Sequence, residues 1–140
     1  MKIVVGVDGS ADSLRAVAWC AKVAGALEAE VIAVHAIEVP VYPPVLGYSP
    51  PPLFSPEDHE RLADVLAEQW CEPLRRAKVP FKPVLSEAYP ANLIRETAEK
   101  ENADLVVVGR RGLGGFAELV LGSTSRQLSH HLDRPIVIVP

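Results

Sequence analysis

Residues 105–125 read LVVVGRRGLGGFAELVLGSTS, and no other stretch limits the fold as tightly. The stretch opens with the apolar, mostly β-branched run Leu105 to Val108, bounded by Gly109. That is the pattern of a strand buried on both faces of a parallel sheet. A glycine-rich turn follows, with Gly109, Gly112, Gly114 and Gly115. Gly122, Ser123 and Thr124 then read as a helix entry, because Ser and Thr are favoured at helix N-termini. Strand, turn and helix start bring two sets of backbone N–H groups together. Both suit a bound anion, most obviously a phosphate.

The rest of the chain alternates in the same way. Ile3 to Val7 is a short apolar strand that stops at Asp8-Gly9-Ser10. Ser10 or Asp12 can cap the helix that follows, which runs to about Leu27. Leu14, Val17, Ala18, Ala21, Val23 and Ala24 give it an apolar stripe, with Trp19 and Cys20 beside it. Val31 to Ile37 is the second strand, with His35 near its end read as a structural hydrogen bonder. Residues 40–56 carry seven prolines (Pro40, Pro43, Pro44, Pro50, Pro51, Pro52 and Pro56), which exclude helix and central strand. The stretch reads as a long surface loop. The alternative is a lid or docking segment using Tyr42, Tyr48 and Phe54. One helix is expected from Glu57 to about Lys78, kinked or ended early by Pro73, with Leu62, Val65, Leu66, Gln69, Trp70 and Leu74 inward. Phe81 to Leu85 reads as an edge strand, Pro90 to Lys100 as a helix, Ser123 to Leu132 as the last helix, and Pro135 to Val139 as the closing strand.

Alternating strands and helices predict one α/β domain over residues 1–140, an open parallel sheet with helices on both faces. Ligands bind such sheets beyond the carboxyl ends of the strands, where the strand order reverses. Asp8 and Gly109 end the first and fourth strands, and adjacency of those strands would put both in one crevice. The formal charge of −4 leaves no basic footprint for nucleic acid. No apolar run approaches the roughly 20 residues of a membrane span. The N-terminus enters a strand pattern directly, without a signal-peptide pattern. Cys20 and Cys71 form no Cys-x-x-Cys pair and read as buried thiols in a reducing compartment, so a cytoplasmic protein is expected.

The spacing Gly109-x2-Gly112-x9-Gly122-Ser123, the opening IVVGVDGS, the second strand VIAVHAIE and the ending PIVIVP together resemble the universal stress protein family, in its ATP-binding branch. The resemblance implies a five-stranded parallel sheet of order 3-2-1-4-5, of the adenine nucleotide alpha hydrolase-like kind, holding ATP or AMP between the first and fourth strands. It implies Gly6, Val7 and Asp8 beside base and ribose, and Ala36 in the adenine pocket. Gly109, Arg110, Arg111, Gly112, Leu113, Gly114 and Gly115 would wrap ribose and phosphates. Gly122, Ser123, Thr124 and Ser125 would hold the phosphates through N–H and hydroxyl groups. A Mg2+ would be reached by Asp8 through water, and the C-terminal strand 135–139 would pair two subunits into a homodimer. Gly6 stands where some ATP binders carry proline, and small Ala36 leaves a roomier base pocket.

Three functions compete. One is a nucleotide-binding regulatory module of the stress response, with negligible ATP hydrolysis. Another is an ATP-using enzyme of the pyrophosphatase-like class. Asp8-Gly9-Ser10-Ala11-Asp12-Ser13 loosely resembles its Ser-Gly-Gly-x-Asp-Ser loop but lacks the first serine and second glycine. The last is a structural dimer that binds no nucleotide. No nucleophile–base pair stands out, so no catalysis is expected.

Overall fold

The computed structural model describes residues 1–40, 47, 51–114 and 120–140. The strands are β1 (Lys2–Gly6), β2 (Glu30–Ile37), β3 (Phe81–Glu87), β4 (Leu105–Gly109) and β5 (Ile136–Val139). All neighbours pair in parallel, in the order β3-β2-β1-β4-β5, which is the anticipated 3-2-1-4-5 arrangement. The helices are α1 (Ala11–Ala26), α2 (Pro56–Asp64), α3 (Glu72–Arg76), α4 (Pro90–Lys100) and α5 (Ser123–His131).

The alternation within β1 divides the core in two. Ile3, Val5 and Val7 face α1 and the α2–α3 region, where Val17, Cys20, Leu66 and Leu74 are buried. Val4 faces the other way, onto Ile94 and Ala98 of α4 and Leu128 of α5. Both faces being covered explains why the central strands carry almost no polar residue. Leu14, expected inward on α1, is instead 36% exposed. The buried face of α1 runs through Ala16, Val17, Cys20 and Ala24.

The expected single helix over residues 57–78 is three pieces. α2 ends at Asp64, a π-helical turn spans Val65–Trp70, and α3 follows from Glu72. In the wide turn Cys71 N donates to Leu66 O, five residues back. Pro73 lies in the first turn of α3, where its missing N–H costs nothing. Gln69, expected inward, is exposed.

α1, α3 and α4 end alike. Glu28, Lys78 and Asn102 take left-handed backbone, with φ of 48°, 56° and 51°. The next N–H in each case (Ala29, Val79, Ala103) bonds a carbonyl five residues back. This is the Schellman closure, made here without glycine. It turns each helix sharply into the strand that follows.

Candidate functional site

The sheet order reverses between β1 and β4, and a cleft of about 570 Å³ opens beyond their carboxyl ends. Every residue anticipated for the nucleotide site lines this cleft, except Gly115, which lies outside the described residues. The strand ends supply Gly6 to Asp8, Ala36 and Gly109. The following loop supplies Arg110 to Gly114, and the first turn of α5 adds Gly122 to Ser125.

Two carboxylates from the β1–α1 connection shape the glycine loop. Asp8 Oδ1 accepts from Ser10 N at 2.9 Å, and its Oδ2 accepts from Leu113 N at 3.2 Å. Asp12 Oδ2 accepts from Arg111 N at 3.0 Å, while Oδ1 is paired with Arg15. Ser10 Oγ accepts from Ser13 N at 3.2 Å and so caps α1, leaving Asp12 free for the loop. Asp8 and Asp12 thus hold the loop through its own N–H groups.

Close approach, not left-handed backbone, explains Gly112 and Gly122. Among the described residues the only glycines with positive φ are Gly9 and Gly47. A Cβ at Gly112 would meet Asp8 Oδ2 at 2.5 Å. One at Gly122 would meet Arg111 Cα at 3.2 Å and Arg110 O at 3.3 Å. Gly122 caps α5 with no side chain to satisfy the N–H groups of the first turn. Those groups have no carbonyl four residues back and carry the positive end of the helix dipole. Ser123 is exposed there and Thr124 half-buried. The Ser125 hydroxyl is spent differently from the hydroxyl contact implied for it. It is 2% exposed and donates to Arg110 O at 2.8 Å or Gly122 O at 3.1 Å, clamping loop to helix.

Arg110 sits at the centre of this clamp. Its N–H donates to Val139 O of β5 at 2.7 Å, and its carbonyl also receives Gly122 N at 2.9 Å. Its Nε is buried with no hydrogen-bond partner, the one such side-chain atom among the described residues. An uncompensated buried donor of that kind fits an anionic ligand.

The opposite end of the cleft is mostly apolar, with Glu38 beside it, and was only partly legible. Ile37, Phe54 and Leu62 contribute there beside Ala36. His35 Nδ1 lies 2.7 Å from Val7 O, as expected of a structural histidine, but the residue also lines the cleft. Its ring packs edge-on against Trp70, with centroids 5.1 Å apart. Trp70 also touches Gly9, where a Cβ would stand 2.6 Å from its ring. Trp70 comes from the π-helical turn, which no periodic pattern announces.

The model of the universal stress protein family matches residues 1–140. The chain belongs to the universal stress protein family. A universal stress protein of Methanocaldococcus jannaschii is 32% identical over 145 residues, covering 99% of this chain and 81% of that protein. One of Mycolicibacterium smegmatis is 33% identical over 141 residues, 98% of this chain but 47% of its own length. Among solved structures, a universal stress protein in complex with cAMP superimposes with a TM-score of 0.72 at 26% identity. The match covers 99% of this chain and 95% of that one. This universal stress protein therefore shares the fold of its relatives over its whole length.

Proposed function

We propose that the cleft binds an adenine nucleotide, ATP or AMP, and that the protein acts as a regulatory module of the stress response in the cytoplasm. The observation that carries the reading is the N-terminus of α5, uncapped by any side chain, set against a glycine loop anchored by Asp8 and Asp12. The first turn of α5 gives backbone donors and a helix dipole to phosphates, beside a loop whose own Arg111 and Leu113 N–H groups are held by Asp12 and Asp8. The similar protein with cAMP bound supports an adenine base at the other end of the cleft. A Mg2+ would arrive with the phosphates and touch Asp8 through water.

Turnover is expected to be negligible. Asp8 accepts from Ser10 N and Leu113 N, and Asp12 from Arg111 N and Arg15, so both carboxylates hold the loop and we assign neither the role of a general base. Calorimetric titration with AMP and ATP tests binding, and release of phosphate from ATP tests turnover. Failure of both nucleotides to bind would end the reading. A turnover number near the roughly 1–100 per second of ordinary kinases would make the protein an enzyme instead.

A further inference from the structure

Phe54 leaves the proline-rich segment half-buried and lines the apolar end of the cleft, together with Ala36, Ile37 and Leu62. Its neighbours in sequence are firmly held. Ser55 and Asp58 form a reciprocal capping box at the start of α2. The box holds the Asp58 carboxyl below the usual carboxylate range, through bonds from Ser55 N–H and hydroxyl. His59, one turn on, packs edge-on against Phe54, with ring centroids 6.2 Å apart. Its Nδ1 lies 3.0 Å from Ser55 O and its Nε2 3.2 Å from Glu87 Oε1. Glu87 is the last residue of β3 and the register partner of Ile37. His59 therefore ties the start of α2 to the carboxyl end of β3, and Phe54 lines the cleft together with Ala36 and Ile37 at the end of neighbouring β2.

The phosphate donors lie two strands away, at the end of β4. Two strand spacings make about 10 Å, the length scale from a nucleotide's base to its phosphate. We propose that Phe54 is the specificity-determining wall of the base pocket, stacking on a purine, with His59 as the positioning residue that holds it there. Small Ala36 and the Phe54 ring, which enters from the start of α2, line this part of the cleft together. A flat apolar wall at that depth selects an aromatic base over a bare sugar phosphate.

The inference rests on the nucleotide reading above. Its test is calorimetric titration with AMP and displacement by ribose 5-phosphate, on the parent and on single variants, each first checked by circular dichroism. Phe54→Ala should weaken AMP by about tenfold, as loss of one base–aromatic stack does, and leave ribose 5-phosphate unchanged. Phe54→Trp keeps a π face and should bind AMP at least as tightly as the parent. His59→Ala should weaken AMP in the parent but add nothing in a Phe54→Ala background, since it acts through that ring. Phe54→Ala binding AMP like the parent overturns the inference, and so does an equal loss for AMP and ribose 5-phosphate. A parent that binds neither probe sinks the nucleotide reading itself, a result distinct from both.

Discussion

A Cβ at Gly109 would stand 2.6 Å from the Asp12 carbonyl carbon and 2.7 Å from Ser13 N, both of them backbone atoms that no rotamer change can move. Gly109→Ala should therefore push β4 and the start of α1 apart, at about 1–3 kcal/mol, the usual cost of overpacking. Thermal unfolding measures that loss. At Gly122 the neighbours of a Cβ are 3.2 and 3.3 Å away, so alanine is nearly accommodated and valine is not. Gly122→Val should abolish AMP binding while the circular dichroism spectrum is kept. If that variant binds as the parent does, the phosphate site is elsewhere. Ser123→Ala should weaken AMP by about 0.5–1.5 kcal/mol, one net hydrogen bond, rising to about 3 if the phosphate charge is engaged.

The helical segment over residues 56–76 shows how an element acquires a property that no single residue has. The π-helical turn delivers Cys71 into the core face that α1 fills with Cys20, and both thiols are fully buried. Burial pushes each from the usual 9.0 up to about 12, with Cys71 adding to the rise at Cys20. Below pH 9 the folded and unfolded chains hold the same thiol protons. Above it the unfolded chain ionises first, so stability should fall as pH climbs from 9 towards 12. Unfolding midpoints across that range should drop less steeply for Cys20→Ala than for the parent, whatever its starting stability; an equal slope would contradict the assignment. The strands, the short helices and the glycine loop were legible in the sequence because period and turn chemistry are local signals. The interrupted helix was not, because a π turn keeps apolar residues at nearly helical spacing. Nor were the loop contacts of Asp8 and Asp12, which depend on two strands distant in sequence becoming neighbours.

At the scale of the whole molecule, β5 is an edge strand paired only with β4, and Ile136 to Val139 are all half-buried. Apolar edges invite pairing with another strand. A homodimer through this edge is the expected solution state, related by a two-fold axis. Light scattering at micromolar concentration should give twice the chain mass, and a purely monomeric mass would count against it. The sheet also has a second rim, where its strands begin. Glu101 gathers Lys82 and Lys2 there, and its carboxyl is held below the usual range chiefly by the bond from Lys82, then by Lys2. Glu28, Lys78 and Asn102 close their helices on that same rim, each directly before a strand. Left-handed backbone costs a residue with a Cβ about 1–2 kcal/mol, and glycine returns roughly half of that as unfolded-state freedom. Glu28→Gly and Lys78→Gly should then raise the unfolding midpoint slightly and leave AMP affinity untouched. Backbone geometry at the helix ends can thus be altered on one rim of the sheet while the cleft on the other keeps its shape.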